Sequence, residues 1–330
     1  MANNFRFFIF LALISATATA QPTVNNLVHT PGYPAAPWGQ LGDVKISGNG
    51  PRKVILIPGW GFDPSIFNDF VKSNSAAYTF YSVTIPGFGK TSAPAMPTDT
   101  GKFGDLFWTR GIIKGISDLI DKEKLIRPDI ITCFTYSEMI AMRFALDHPD
   151  KVGKVIIISG MAKYTSNLPS LEPRTLASRT YFIENMLAKN WFKTVTTDVW
   201  NKGNFSPATF CIDSAKAKKH WDMMSAVPIP VMVRYICEYY CTDISLEYKD
   251  LKVPVLVIVP GFTAKVLSEN NYLGPFFHYS WLGAMPATDM IHIVAVTDTR
   301  AFIMDDQPKK LNELVKEFLE NGAKSIGPMK

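Results

Sequence analysis

Thr135 lies in the part of the chain whose residue types and spacing most suggest chemistry, at a turn between an apolar strand and a helix. The strand is predicted over 129–133, and the helix is predicted to end at 147–149. This strand–turn–helix outline is a nucleophile elbow, which lifts one side chain above a parallel sheet. The usual motif is Gly-x-Ser-x-Gly, whereas residues 133–137 read Cys-Phe-Thr-Tyr-Ser. Threonine therefore stands at the position that serine usually occupies.

The elements that must position Thr135 form an alternating pattern. Short apolar runs bounded by glycine and proline alternate with helical stretches, which predicts an α/β protein with a mostly parallel sheet covered on both faces. Strands are predicted over 53–57, 79–85, 129–133, 154–159, 254–259 and 291–296, and helices from near 64, over 105–122, after the elbow, and over 308–320.

Residues 161–250 break this rhythm. They have no comparable Val/Ile runs and carry many large aromatic side chains. We interpret this segment as a helical cap inserted between two strands, with an apolar pocket beneath it. The predicted organisation is a signal peptide over 1–20, a core over 21–160 and 251–330, and the cap over 161–250.

Composition narrows the class of protein. The chain has 330 residues, of which 47% are hydrophobic, enough for one large α/β core. The formal net charge is only +5 and no basic stripe is interleaved with aromatics, which argues against nucleic-acid binding. No Cys/His spacing predicts a metal site, and we expect no cofactor.

The first twenty residues are typical of a secretory signal. Arg6 supplies a weak positive start, residues 7–14 form an apolar core, and Ala18-Thr19-Ala20 is a small-residue cleavage site. The apolar run is too short to span a bilayer. We therefore expect a mature chain that begins near Gln21, is secreted or periplasmic, and has no membrane span after cleavage.

Four cysteines remain after the predicted cleavage site. Cys133 ends the strand before the elbow and is expected to be buried. Cys211 could form a disulfide with Cys237 or Cys241, or all of them could be free buried thiols. Sequence alone cannot fix such a pairing.

Four motifs in order resemble the α/β-hydrolase fold superfamily, in its small capped esterase- and lactonase-like branch. They are Leu-Ile-Pro-Gly-Trp-Gly at 56–61, Ile-Pro-Gly-Phe-Gly at 85–89, Ala-Leu-Asp-His-Pro at 145–149 and Phe-Ile-Met-Asp-Asp-Gln-Pro at 302–308. The resemblance covers about 54–319. It implies a Ser-His-Asp triad whose nucleophile, acid and histidine positions are Thr135, Thr263 and Ala301 here.

All three triad positions are therefore predicted to be substituted. The elbow residue of this family has positive φ, which a β-branched side chain tolerates badly, so Thr135 would be strained or the turn would relax. Ala301 cannot accept a proton, and a hydroxyl without an adjacent base is a poor nucleophile.

Other residues could still act at the elbow. The resemblance implies that the backbone amides of Trp60 and Tyr136 form an oxyanion hole. His278 is a candidate for a relocated base and His220 a weaker one, since a base must lie within hydrogen-bond reach of its target. Ser137 is a weaker nucleophile candidate, because the register favours Thr135.

Two functional hypotheses follow. The first is an exported, weakly active or inactive protein that binds a small apolar molecule with an ester, lactone or acid group. The second is an active ester or lactone hydrolase that uses Thr135 with a non-standard base. A third, weaker hypothesis is that the cap binds a protein partner.

Overall fold

The structure is a computed structural model, and it describes residues 40–95, 101–162, 175–202, 209–261, 280–281, 288–322 and 326. The predicted signal peptide, Thr263 and His278 lie outside the described residues.

A seven-stranded sheet forms the centre of the described chain, with strand order β1-β3-β2-β4-β5-β6-β7. Only β1 runs antiparallel to its neighbour, β3, and the remaining pairs are parallel. The strands are β1 (Val44–Ser47), β2 (Arg52–Pro58), β3 (Tyr78–Val83), β4 (Asp129–Cys133), β5 (Val155–Ile158), β6 (Val255–Gly261) and β7 (Ile291–Thr297).

Six of these strands confirm the sequence predictions. Strands buried on both faces are typically rich in Val and Ile, which is why sequence patterns can detect them. All residues of β3, β4 and β5 are buried. Sequence patterns do not predict the strand β1. Its four residues are half-buried or exposed, and a short edge strand of this kind has no apolar run to detect.

Helices cover the sheet where the alternating pattern predicts them. The amphipathic C-terminal helix packs its apolar face, which includes Leu311, Leu314 and Phe318, against the core. The core helices are α1 (Asn68–Asn74), α2 (Phe107–Lys122), α3 (Ser137–Asp147), α9 (Ile303–Asp306) and α10 (Pro308–Asn321).

The segment between β5 and β6 is helical where it is described, so the fold includes a helical cap insertion. A π-helical turn at Ile183–Leu187 joins the first two cap helices. The cap helices are α4 (Leu176–Phe182), α5 (Ala188–Thr194), α6 (Thr197–Lys202), α7 (Ser214–Ser225) and α8 (Ile229–Tyr240). Among the described residues, no helix combines the length and the apolar character needed to cross a membrane.

Helix α8 holds the cap on the core, and eleven of its twelve residues are buried. The Trp60 indole Nε1 donates a 3.0 Å hydrogen bond to the Met232 carbonyl. The Tyr235 hydroxyl donates to the Pro86 carbonyl at 2.7 Å. These bonds connect α8 to the turns after β2 and β3, which border the elbow.

A buried ion pair on α8 also connects the cap to the core. Arg234 Nε lies 2.9 Å from Glu238 Oε1, and both side chains are 0% exposed. Glu238 also accepts hydrogen bonds from the backbone amides of Trp108 at 3.1 Å and Thr109 at 2.9 Å. Helix α2 begins after Leu106 without a side-chain cap of its own. Glu238 belongs to the cap insertion but satisfies the first backbone amides of the core helix α2. A carboxylate is most stabilising at this N-terminal end of a helix.

Candidate active site

The elbow places Thr135 between the end of β4 and the start of α3. The left-handed conformations fall on Phe134, with φ of +71°, and Tyr136, with φ of +84°, and not on Thr135 between them. Of the two possibilities left open, strain at Thr135 or a relaxed turn, the structure has the relaxed turn. A β-branched side chain is disfavoured there, and the turn relaxes by shifting the strained conformations to its two neighbours.

Among the described residues, no base contacts the Thr135 side chain. This side chain is 9% exposed, and no described histidine nitrogen is hydrogen-bonded to its hydroxyl. Ala301, the predicted histidine position, is 0% exposed. Its amide donates to the Thr209 carbonyl at 3.3 Å, which ties this loop to the cap. No described group at these positions can accept the hydroxyl proton.

The Trp60 amide, expected in the oxyanion hole, is already engaged. It donates a 2.9 Å hydrogen bond to the Thr135 carbonyl. This differs from the expectation of a donor directed into an open pocket mouth. The reason is local: the relaxed turn brings the Thr135 carbonyl against the glycine turn after β2.

Gly59 shows how closely that turn and the elbow approach each other. A Cβ atom at Gly59 would lie 2.6 Å from the Cys133 carbonyl oxygen and 2.9 Å from the Thr135 carbonyl oxygen. Both contacts are with backbone, which cannot rotate away.

We expect Gly59→Ala to lower the free energy of unfolding by about 1–3 kcal/mol, because overpacking forces backbone shifts. Urea titration of purified protein measures this change. Gly104→Ala is the matched control, since its Cβ would meet the flexible side chains of Thr180 and Glu184. Equal stability of the two variants would contradict the close approach at the elbow.

Glu138, in the first turn of α3, places a buried carboxyl group beside the elbow. Its Oε1 accepts the Tyr239 hydroxyl at 2.7 Å and the Met161 amide at 3.3 Å. Its Oε2 is buried and has no hydrogen-bond partner. Burial raises the pKa of this carboxyl to about 7, against the lowering effects of the Tyr239 hydroxyl and of nearby backbone groups, including that of Tyr136.

The second expected oxyanion donor belongs to Tyr136, whose backbone also lowers the pKa of the Glu138 carboxyl. The Tyr136 side chain is also fully buried, and its hydroxyl lies 2.9 Å from Thr109 Oγ1. Sequence patterns do not single out Glu138. A glutamate in the first turn of a helix is usually an exposed residue, and Glu138 is buried here among contacts from distant parts of the chain, including Tyr239, 101 positions away.

Aromatic rings fill the space beside Ala301. The Phe134 and Phe302 rings stack with centroids 5.7 Å apart, and Phe62 meets both edge-on at 5.4 Å and 5.0 Å. The imidazole of His220 stacks on Phe302 at 4.0 Å. The region that would hold a catalytic imidazole is thus a packed aromatic cluster.

His220 is the candidate base that the structure connects with an acid. Its Nε2 lies 2.6 Å from Asp305 Oδ2, and its Nδ1 is buried without a hydrogen-bond partner. Burial raises the pKa of Asp305, but the hydrogen bond and charge of His220, with the hydrogen bond of Lys216, hold it below its usual value. Sequence patterns favour His220 only weakly, because the pairing spans 85 positions.

Three further polar residues have structural positions. Ser137 is buried, and its hydroxyl donates to the Phe134 carbonyl at 3.1 Å. His148 follows α3, and its ring lies 5.0 Å from that of Phe144. Asp298 is a turn residue after β7 with φ of +56°. All four cysteines are free and buried, so of the two possibilities left open the structure has the free thiols.

Known proteins share this architecture. An esterase from Exiguobacterium antarcticum superposes with a TM-score of 0.62 at 14% identity, over 84% of this chain and 95% of that one. An enol-lactonase from Burkholderia xenovorans superposes with a TM-score of 0.57 at 16% identity, again over 84% and 95%. These likenesses establish the fold.

Sequence relatives indicate the same class. The chain is 24% identical over 153 residues to the pimeloyl-[acyl-carrier protein] methyl ester esterase of Photorhabdus laumondii, covering 45% of this chain and 51% of that protein. It is 29% identical over 117 residues to the enzyme of that name from Neisseria meningitidis, covering 35% and 39%. The chain thus spans about half or less of the length of the curated relatives it matches. No protein-family model matches it.

The fold and the motifs together define the class: this is an α/β-hydrolase-fold protein with a helical cap. Its resemblance to esterases and lactonases of that fold is confirmed by the relatives and structures of those names that it matches.

Proposed function

We propose that this chain is an α/β-hydrolase-fold protein with little or no hydrolytic activity. The observation that supports this most strongly is Ala301, a buried alanine at the family's histidine position whose loop is bonded to the cap. A threonine hydroxyl has a pKa far above neutral, so it is a weak nucleophile until a base removes its proton. The described residues offer no such base in contact with Thr135.

The state of the Trp60 backbone amide supports the same proposal. An oxyanion hole accelerates acyl transfer only when its donors are free to meet the developing negative charge, and losing one donor costs about 10²–10³ in rate. The Trp60 amide is bonded to the Thr135 carbonyl. Acyl transfer would therefore lack one of its two expected oxyanion donors as well as a base in contact with Thr135.

We expect the purified mature chain to hydrolyse p-nitrophenyl butyrate no faster than the matched variant Thr135→Val, which keeps the shape of the side chain without its hydroxyl. Release of p-nitrophenolate measures both rates, with an active esterase assayed in parallel. Turnover by the wild-type chain that Thr135→Val abolishes would overturn the proposal.

The ligand class is proposed from the relatives, which are named for a methyl ester. We infer that the chain binds a small apolar molecule carrying an ester, lactone or acid group between the cap and the elbow. Calorimetric titration with pimelic acid monomethyl ester tests this inference. We expect a dissociation constant between about 1 μM and 1 mM. Heptane-1,7-diol is the control, since it lacks the carbonyl, and equal heats for the two compounds would contradict the inference.

A second candidate function is an active ester or lactone hydrolase with a relocated base, and one observation favours it. The His220–Asp305 pair has the carboxylate–imidazole arrangement of a catalytic base, and its ring packs on Phe302 beside Phe134. This candidate predicts turnover that both His220→Ala and Thr135→Val abolish. If neither variant changes the rate, it is excluded.

We also propose export, on the strength of the first twenty residues. Expression of the full chain in a bacterium, followed by N-terminal sequencing of the protein released from the periplasm, tests it. We expect the sequence to begin at Gln21, and a chain retained in the cytoplasm with its first residues intact would contradict the proposal.

A further inference from the structure

Cys211, His220 and Asp305 converge from three elements: the segment before α7, helix α7 itself and helix α9. One possible ligand atom from each residue lies within 4.8 Å of the other two. The cysteine and histidine are buried and the aspartate is half-buried. We propose that this cluster binds a divalent transition-metal ion of the zinc class, a site separate from the Thr135 hydroxyl.

The donor set fits such an ion. Zinc accepts a thiolate at about 2.3 Å and imidazole nitrogen or carboxylate oxygen at about 2.0–2.2 Å. Ligand atoms around one tetrahedral ion at these lengths lie roughly 3.3–3.6 Å apart. The three ligand atoms lie within 4.8 Å of one another, so the Cys211 thiol must move closer to the other two by roughly 1 Å. The His220–Asp305 contact of 2.6 Å must lengthen to make room for the ion. Both are side-chain adjustments.

An unpartnered nitrogen is a second, independent observation. The His220 side chain is only 5% exposed, and its Nδ1 is buried without a hydrogen-bond partner. A buried polar atom without a partner costs about 1–3 kcal/mol, so proteins rarely keep one without a use for it. An ion binds one nitrogen of the ring, so coordination through Nδ1 would give this atom the partner it lacks.

The local charges also favour a cation. Three carboxylates, those of Asp213, Asp305 and Asp306, lie near enough to the Cys211 thiol to act on it electrostatically. A metal ion bound there would neutralise part of this negative charge. Lys216 Nζ now lies 3.1 Å from Asp305 Oδ1. Its side chain is 43% exposed and can turn to solvent when an ion takes over the positive charge.

The surroundings would keep the ion dry. Phe302 stacks on His220 at 4.0 Å, and Phe62 and Phe210 meet the imidazole edge-on at 6.1 Å and 6.3 Å. An apolar shell of this kind strengthens the attraction between the ion and its charged ligands.

Titration of the full-length, chelator-treated protein with Co²⁺ tests the proposal, because Co²⁺ replaces Zn²⁺ and absorbs light. We expect a near-ultraviolet thiolate-to-Co²⁺ band and intense visible bands that saturate at one ion per chain and vanish when Zn²⁺ is added. Cys211→Ser should abolish the near-ultraviolet band. His220→Ala should weaken Co²⁺ binding at least tenfold.

Cys237→Ser is the matched control, since Cys237 is an equally buried free thiol on α8 outside the cluster. It should leave the spectrum unchanged. The wild-type titration decides the matter even if a variant fails to fold. Absence of any band with Co²⁺ in about hundredfold excess, or a band lost in Cys237→Ser but kept in Cys211→Ser, would overturn the proposal. The readout is spectroscopic, so it stands apart from any test of hydrolysis.

Discussion

Replacing Glu238 with alanine is expected to lower the free energy of unfolding by about 3–5 kcal/mol, the cost of leaving a buried charge without its partner. Arg234 would remain 0% exposed with its guanidinium uncompensated. The amides of Trp108 and Thr109 would lose their acceptor at the start of α2. Urea unfolding followed by circular dichroism measures the change.

Two further variants make this prediction specific. Glu313→Ala removes one partner of an exposed ion pair, with the two side chains 55% and 70% exposed, and should change stability by less than about 1 kcal/mol. The double variant Arg234→Met, Glu238→Leu should recover part of the loss, because no unpaired charge remains. A cost below about 1 kcal/mol for Glu238→Ala would show that the cap is not fastened through this pair.

The second large effect is a pH dependence that originates at Glu138. Its carboxyl is buried and its pKa is raised to about 7, so the folded chain keeps a proton that the unfolded chain releases near pH 4.5. The contribution of this carboxyl to the free energy of unfolding is therefore fully present below about pH 4.5 and is lost as pH rises towards 7. The loss attributable to this one group is roughly 3 kcal/mol.

Glu138→Gln should remove that dependence, because glutamine is the neutral counterpart of the protonated carboxyl. The difference in unfolding free energy between variant and wild type, measured by urea titration at intervals from about pH 5 to about pH 8.5, should move in favour of the variant as pH rises. Asp118→Asn is the control, since its side chain is 53% exposed, and it should give a nearly flat difference. A flat difference for Glu138→Gln as well would contradict the buried, protonated state.

The fold could be predicted from the sequence because its signals are local. Strand β5 reads Val-Ile-Ile-Ile, so its burial follows from composition alone, and β4 has two adjacent isoleucines at its centre. Counting back from His148 and Pro149 at the end of the elbow helix gives the nucleophile position Thr135, between β4 and α3. Only β1, a short and partly exposed edge strand, has no such signal.

The interior of the site could not be predicted, because it depends on contacts made across the fold. Glu138 and Glu238 are both helical glutamates, which sequence patterns treat as exposed, and only the packing of α8 against α2 and α3 buries them. His220 acquires Asp305 as a partner through cap folding, not through sequence spacing. The position of the left-handed residues in the elbow likewise depends on how the turn relieves strain around Thr135.

The proposed lack of hydrolytic activity requires that no proton acceptor contacts the Thr135 hydroxyl. A covalent probe tests this requirement most directly. A fluorophosphonate reacts with an activated hydroxyl and adds a fixed mass to the residue that attacks it. Incubation of the purified chain with this probe, followed by peptide mass spectrometry, should show no adduct on residues 129–147. A stoichiometric adduct on Thr135 that disappears in Thr135→Val would show that the hydroxyl is activated, and it would contradict the proposed lack of hydrolytic activity.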